Sequence, residues 1–93
     1  MVIGFLSLEI FLPYSHSLKE KRRVLNALRD RFKKKYNIAF AELDFQDKWQ
    51  RSKVGIITLN SQKLCVDQVL QRILVEAAQN LEGEILQSEI CYF

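Results

Sequence analysis

Apolar residues alternate with others along the first segment of the chain, and this alternation predicts a β-strand. From Val2 to Leu12 the even positions are apolar apart from Gly4, whereas the odd positions mix apolar residues with polar ones such as Glu9. Such a strand presents one face to a core and leaves the other at least partly in water. Pro13 ends it, because proline has no N–H group to give to a sheet.

Two longer segments repeat their apolar residues at the 3.6-residue period of a helix. The first helix is predicted to begin at Ser17, whose hydroxyl caps it and which has Glu20 three residues on, as in a capping box. Asn37 is expected to end this helix in the left-handed conformation. The second helix is predicted from a cap at Ser61 to about Asn80. The apolar stripe of the first helix consists of Leu18, Leu25, Leu28, Phe32 and Tyr36.

The remaining strands are predicted at Ile38 to Asp44, Ser52 to Asn60 and Glu84 to Phe93. The order strand, helix, strand, strand, helix, strand is the ferredoxin-like pattern. Two right-handed crossovers place both helices on one face of a four-stranded antiparallel sheet. The chain is therefore predicted to be an α+β protein of βαββαβ order that forms a single domain over residues 1–93.

The composition indicates where the protein is located more than what it does. Hydrophobic residues make up 48% of the chain, which is typical of a folded domain. No apolar run approaches the roughly 20 residues of a membrane span, and the apolar N-terminus lacks the basic start of a signal peptide. We expect a cytoplasmic protein that has no contact with a membrane. Cys65 and Cys91 have no metal-ligand spacing and are expected to be reduced, buried thiols.

Positive charge is concentrated in the first helix. The net charge of the chain is +3, but residues 18–36 hold nine cations and two acids, a net of +7, so the rest carries −4. Lys19, Lys21, Arg22 and Arg23 crowd the first two turns, where the partial positive charge of the helix terminus disfavours cations. We interpret this cluster as an anion site, formed together with the unpaired N–H groups of the first turn.

A polar ridge is predicted beside the apolar stripe of this helix. Its residues fall within about 80° of one another and extend over about 20 Å, a length that follows several phosphates. The ridge consists of Lys19, Arg22, Asn26, Arg29 and Lys33. The alternative interpretation is a solvated face without a specific partner, partly offset by the pairs Glu20–Arg23 and Asp30–Lys34.

The connection FQDKWQR, residues 45–51, has none of the Gly, Asn or Pro residues that hairpin turns favour, but it contains the only Trp of the chain. If the segment is extended, Trp49 and Arg51 point the same way. An exposed Trp would suit the stacking of an unpaired base. The alternative is that Trp49 covers an open end of the core.

The open face of the sheet is predicted to carry Glu9, Glu42 and Asp44 as a wet surface, with a metal site as the less favoured interpretation. Phe5, Phe11 and Phe40 are placed on the same side. This mixture of acids and aromatic rings is a poor platform for phosphates but a reasonable protein contact or dimer face.

No arrangement of residues predicts catalysis. His16 lies between two serines but has no third, orienting group, so we expect it to be exposed. The chain has no Gly-rich loop and no paired cysteines. We therefore predict a protein that is not an enzyme and has no cofactor or metal.

Three segments together resemble the YlxP-like family, a domain of unknown function numbered 503. They are SLKEKRRVLNALRDR, NIAFAELDFQDKWQRSKVGI and VDQVLQRIL, and the resemblance runs over nearly the whole chain. It implies a ferredoxin-like fold in a small bacterial protein. Genes of the family tend to lie near those for transcription-elongation, translation-initiation and ribosome-maturation factors, which implies a connection with RNA or the ribosome. The resemblance implies no activity and no catalytic residues.

Two other families share the predicted architecture but not its chemistry. Acylphosphatases need a Gly-rich phosphate loop with an Arg directly after the first strand, and the segment LPYSHS, residues 12–17, has neither. RNA-recognition motifs stack bases on aromatic residues of the first and third strands, and the third strand here, KVGIITLN, has none. Any contact with RNA should therefore use the helices or the loop.

The leading hypothesis is a non-catalytic binding protein that contacts structured RNA or a ribonucleoprotein. Trp49 and Arg51 are predicted to add a specific anchor to the phosphate contacts. The alternative is a homodimeric or protein-interaction module that uses the open sheet face or an edge strand. The predicted phosphate contacts are Lys19, Lys21, Arg22, Arg23, Arg29 and Lys33.

Overall fold

The computed structural model describes all 93 residues and contains six elements. Their order confirms the predicted βαββαβ fold. Their ends lie within one residue of the predicted bounds. The elements are β1 (Val2–Phe11), α1 (Leu18–Lys35), β2 (Ala39–Asp44), β3 (Arg51–Asn60), α2 (Lys63–Asn80) and β4 (Glu84–Tyr92).

The four strands form one antiparallel sheet in the order β2-β3-β1-β4. Leu6 of β1 lies opposite Ile56 of β3 and Ile90 of β4. Because alternate residues of a strand point to the same face, the even positions of β1 and β3 point toward the helices. The core lies between the sheet and the two helices. It consists of Leu6, Leu8, Ile10, Leu12, Leu25, Leu28, Phe32, Val54, Ile56, Val66, Leu70, Ile73 and Ala77.

A glycine lets α2 approach the sheet closely. Gly4 points into the core, and a side chain at this position would collide with Val66 and Leu70 of α2. The gap in the alternating apolar pattern of β1 is thus filled by the helix.

The structure confirms one predicted cap and corrects two others. The Ser17 hydroxyl accepts a hydrogen bond from the Glu20 N–H at 3.1 Å, as predicted. Asn37 does not end α1, because the helix stops at Tyr36 in an extended conformation with φ −133°. Ser61 does not cap α2, since the helix begins one residue later, after Gln62, and has no side-chain cap.

The outer face of the sheet, which points away from the helices, is less uniform than the sequence suggested. Glu9 and Asp44 lie on it, but Glu42 lies opposite Val54 and points toward the helices. Phe40 likewise lies opposite Ile56 and packs against the core. The predicted groups of three carboxylates and three aromatic rings are therefore wrong, because β2 reaches Glu42 before a register shift turns Asp44 outward.

Candidate functional site

Lys21 lies inside the protein and not on its surface. None of its surface is exposed to solvent. The side chain falls on the same face of α1 as Leu25, Leu28 and Phe32, at spacings of four, seven and eleven residues. The prediction that Lys21 contacts phosphates is therefore wrong, because helical periodicity turns it inward.

The ammonium group of Lys21 is enclosed by oxygen atoms. Its Nζ donates to the carbonyl oxygens of Phe45 at 2.7 Å, Gln46 at 3.3 Å and Arg51 at 3.3 Å. It also lies 3.0 Å from Oε2 of Glu42. A buried charge is tolerated only when it is paired and hydrogen-bonded, and here the partners are the loop between β2 and β3 and a carboxylate next to it.

Glu42 is held in place by a second donor. The hydroxyl of Ser52, a fully buried residue, donates to Oε2 of Glu42 at 2.6 Å. The three side chains of Lys21, Glu42 and Ser52 therefore join α1, β2 and β3 beneath the connecting loop. We call this arrangement the Lys21 cage, and it fixes the position of both ends of the loop.

The loop that the cage holds begins with an unusual backbone conformation. Phe45 has φ 62° and is the only non-glycine residue with positive φ. A bulky residue in this region is strained. The Phe45 carbonyl accepts hydrogen bonds from both Lys21 Nζ, at 2.7 Å, and the Lys48 N–H, at 2.9 Å, so the buried ammonium stabilises the strained turn.

The loop forms one wall of a pocket at the end of the outer face. The pocket has a volume of about 720 Å³, within the range of small-molecule sites. Trp49 keeps 55% of its surface exposed in it, which settles the open alternative in favour of exposure. The residues that line this aromatic pocket are Phe11, Phe45, Asp47, Lys48, Trp49, Gln50, Arg51 and Leu86.

Arg51 is already engaged within the pocket. Its Nη2 donates to Oε1 of Glu9 at 2.7 Å, and its guanidinium carbon lies 4.8 Å from the centre of the Phe45 ring. Glu9 neutralises the charge, and the planar group stacks on the ring. Arg51 therefore offers a flat, partly exposed surface more than a free positive charge.

The cations of α1 that remain exposed lie on another surface. Lys19, Arg22, Arg23 and Lys33 are exposed and have no carboxylate within 4.0 Å. Arg29 is half-buried and pairs with its neighbour Asp30 at 3.0 Å. The predicted ridge therefore exists, with one of its cations paired.

Two predicted ion pairs on α1 are wrong. Asp30 pairs with Arg29 and not with Lys34, and the Glu20 carboxylate accepts the His16 N–H at 2.6 Å instead of meeting Arg23. Because Ser17 and Glu20 already satisfy groups at the helix start, the predicted anion site at the N-terminus is partly filled by the protein itself.

The predicted site residues thus separate into two groups. No residue of α1 lines the aromatic pocket that contains Trp49 and Arg51. The shallow surface around Lys19, Arg22 and Asn26 in turn contains no residue of the loop. Lys21 connects the two groups through the interior, since its side chain extends from α1 and its Nζ donates to main-chain carbonyls at both ends of the loop.

Sequence analysis missed the pocket partners Leu86 and Phe45, as well as the role of Ser52. Leu86 lines the pocket only because the register between β1 and β4 shifts at this residue, and the sequence around Leu86 carries no sign of that shift. The cage, in contrast, had a signal. Lys21 occupies a position of the apolar stripe, and a cation at such a position predicts a buried partner.

A tyrosine of β4, at the far end of the sheet, interacts with a carboxylate of α2. The Tyr92 hydroxyl donates to Oδ1 of Asp67, and Lys63 Nζ lies 4.6 Å from the centre of the Tyr92 ring. This hydrogen bond, together with partial desolvation and the negative charge of Asp67, raises the pKa of Tyr92 above its usual 10.0. The pair joins β4 to α2.

Neither helix has the length and apolar character needed to cross a membrane. No group of three or more His, Cys, Asp or Glu side chains is arranged to hold a metal ion.

Comparison with known proteins identifies a family and a fold. Residues 3–90 match the model of the family described as "Protein of unknown function (DUF503)". The chain is 34% identical over 90 residues to the "Uncharacterized protein YlxP" of Bacillus subtilis (strain 168), with 95% of this chain and 98% of that protein covered.

Solved structures with little sequence identity share the architecture. The structural genomics protein YJCS has a TM-score of 0.61 at 9% identity, with 96% of each chain covered. The cofactor-independent oxygenase SnoaB from Streptomyces nogalater has a TM-score of 0.53 at 14% identity, with 99% of this chain and 90% of that chain covered. The designed protein Ferredog-Diesel has a TM-score of 0.52 at 14% identity, with 94% and 83% covered. At these identities the likeness concerns the fold alone.

Proposed function

The chain belongs to the DUF503 family, and we propose that it is a non-catalytic protein that binds RNA, alone or within a ribonucleoprotein, through the exposed ridge of α1. The observation that carries this proposal is a set of exposed cations without carboxylate partners. The protein pairs Lys21, Arg29, Lys35 and Arg51 with its own acids, but it leaves the ridge cations Lys19, Arg22 and Lys33 without such partners.

The arrangement of these cations suits a phosphate backbone. The ridge extends over about 20 Å of helix, and contacts with phosphates position a protein on nucleic acid without reading its sequence. Asn26 lies between Arg22 and Lys33 on the same exposed side and adds a side chain that both donates and accepts hydrogen bonds. Binding of this kind requires no catalytic group, and we propose that the protein has none.

The other cations of α1 extend the basic surface around the helix. Arg23 and Arg31 line a groove between α1 and the end of α2, together with Val24 and Leu81. Both arginines are exposed and lack carboxylate partners. A basic surface on more than one side of the helix suits a folded RNA, whose phosphates face it from several directions, better than a single extended strand.

The proposal is tested by removing charge from the ridge without reversing it. Arg22→Gln with Lys33→Gln should weaken the binding of a labelled RNA hairpin at low salt by about tenfold or more, since two phosphate contacts are lost. The matched control is Lys63→Gln with Arg72→Gln on α2, which lowers the net charge by the same amount. If both pairs weaken binding equally, the effect is one of net charge and the ridge is not the binding surface.

A second candidate function is a homodimeric protein-interaction module, favoured by apolar residues on the outer face. The register places two apolar rows side by side across the sheet, at the end opposite the aromatic pocket. Ile57, Leu59 and Phe93 are 41%, 52% and 75% exposed. The rows consist of Leu59, Ile3 and Phe93, and of Ala39, Ile57, Phe5 and Cys91.

The mass of the protein in solution tests this candidate. A standard interface buries about 800 Å² of each partner, which is a small part of the 5825 Å² that the chain exposes. Ile57→Lys should convert a dimer into a monomer, whereas Val75→Lys, at an exposed apolar position of α2, should not. A wild-type protein that remains monomeric at high concentration contradicts the candidate.

A further inference from the structure

We propose that the aromatic pocket binds one unpaired nucleobase, stacked between Trp49 and the Arg51 guanidinium, while the same RNA is held by α1. This inference rests on the proposed function, because it takes the ligand to be RNA and assigns a role to a part of the protein that the ridge does not include.

The walls of the pocket are suited to a flat, neutral group. Three of the lining side chains are aromatic rings, from Phe11, Phe45 and Trp49, and a fourth apolar wall comes from Leu86. Arg51 lies with one side on the Phe45 ring and its side chain is 49% exposed. Every nucleobase has a flat π-face, so stacking on Trp and Arg binds a base without selecting its identity.

Hydrogen-bonding groups lie at the rim of the same pocket. Lys48 contributes an ammonium group and Asp47 a carboxylate, which can meet acceptors and donors on the edge of a base. The Gln50 side chain is engaged elsewhere, because it donates to the Pro13 carbonyl at 3.1 Å. The pocket therefore combines four apolar side chains with a few polar ones, as in sites for small ligands.

The pocket is formed before any ligand arrives. The Lys21 cage fixes both ends of the loop, and the Gln50 contact holds its last residue against the segment after β1. Trp49 remains 55% exposed although the loop around it is held in place. A preformed site loses little conformational entropy on binding. Because the loop is already fixed, a ligand that covers the exposed Trp49 ring does not have to order the loop as well.

The charge around the pocket favours RNA over an apolar peptide. The pocket is lined by two cations, Lys48 and Arg51, and one acid, Asp47, and Glu9 outside it neutralises Arg51. The exposed cations of the first turns of α1 lie on the helix layer, outside the pocket. Lys21 joins the start of α1 to the loop that forms the pocket, since its Nζ is 3.3 Å from the Arg51 carbonyl. A polyanion with a neutral, flat end group matches both surfaces, whereas an apolar peptide matches only the pocket.

The fluorescence of Trp49 measures occupancy of the pocket directly, because the chain has no other Trp. The probe is an RNA hairpin with one unpaired nucleotide at its end, compared with the same hairpin that lacks the base of that nucleotide. Both should bind, as measured by the anisotropy of a label. Only the hairpin with the unpaired base should quench Trp49, and it should bind about tenfold more tightly, in line with one stacked base.

Two variants separate the pocket from the ridge. Trp49→Ala should remove the difference in affinity between the two hairpins while the one that lacks the base still binds. Tyr14→Ala is the control, since Tyr14 is 74% exposed but lies outside the pocket. Circular dichroism verifies that both variants fold.

The possible results have distinct consequences. Equal binding of the two hairpins without quenching overturns the pocket proposal and leaves the ridge in place. Binding of neither hairpin overturns both proposals. Quenching of Trp49 by an apolar peptide, but not by either hairpin, assigns the pocket to a protein partner and overturns the assignment to a base.

Discussion

At the scale of single residues, Lys21 contributes most to the shape of the site. An ammonium group is costly to bury, and the cost is repaid only when every donor finds an acceptor. Nζ of Lys21 has four oxygen atoms within 3.3 Å, and three of them are main-chain carbonyls of the loop region. The Lys21 side chain therefore stabilises a strained turn in a distant segment, the loop between β2 and β3.

Replacement of Lys21 should show this role. Lys21→Met leaves the carboxylate of Glu42 without its cation and removes one donor from each of the three carbonyls, and we expect a loss of about 3–5 kcal/mol in the free energy of unfolding. Lys19→Met, at an exposed position of the same helix, should change it by less than about 0.5 kcal/mol. Urea denaturation measures both values. A loss below about 1 kcal/mol for Lys21→Met would mean that the cage is not structurally important.

A second residue-level prediction concerns alkaline pH. The raised pKa of Tyr92 means that the folded protein favours the neutral phenol. The stabilisation is therefore fully present below the unfolded pKa of about 10 and is lost as the pH rises through the folded pKa. Asp67→Asn should shift the latest-titrating tyrosine component to lower pH, and Tyr92→Phe should remove it. Near-ultraviolet absorbance follows both, and an unchanged titration in Asp67→Asn contradicts the contact.

At the scale of elements, the two helices differ in how they begin. Ser17 caps α1 with its hydroxyl, whereas Gln62 precedes α2 without any side-chain cap. The start of the helix that carries the basic ridge is thus stabilised by its cap, whereas the start of α2 has only the hydrogen bond from the Gln62 N–H to the side-chain Oδ1 of Asn60, just before the helix.

Substitutions at the two caps should have opposite effects. Gln62→Ser supplies the missing acceptor and should stabilise the protein by about 0.5–1 kcal/mol, whereas Ser17→Ala should destabilise it by about 1 kcal/mol. Thermal unfolding compares the two variants with the wild type. Destabilisation by Gln62→Ser would show that Gln62 has a role that the backbone contacts do not reveal.

The elements themselves were predictable from the sequence because their patterns are local. The alternation in β1 and the stripe of α1 follow from periods of 2.0 and 3.6 residues. The aromatic pocket was not predictable in full. Leu86 reaches it through a shift in register, and Phe45 takes part through a backbone conformation that its residue type disfavours. Such features depend on contacts between distant segments.

At the scale of the whole molecule, the sheet divides two chemistries. The helix layer presents the exposed cations of α1, and the outer face presents the aromatic pocket at one end and apolar rows at the other. From Ile3 to Phe11 these two regions of the outer face lie about 26 Å apart along β1. A dimer formed through the apolar rows would therefore leave the aromatic pocket and the basic helix α1 of each protomer accessible.

The salt dependence of RNA binding by the wild-type protein shows whether the ridge of α1 contacts phosphates. The three unpaired cations of the ridge, Lys19, Arg22 and Lys33, should each neutralise a phosphate and release one counterion from the RNA. A plot of the logarithm of the association constant against the logarithm of the salt concentration should then have a slope of about −3. A slope near zero, or no binding of RNA at low salt, would contradict the account.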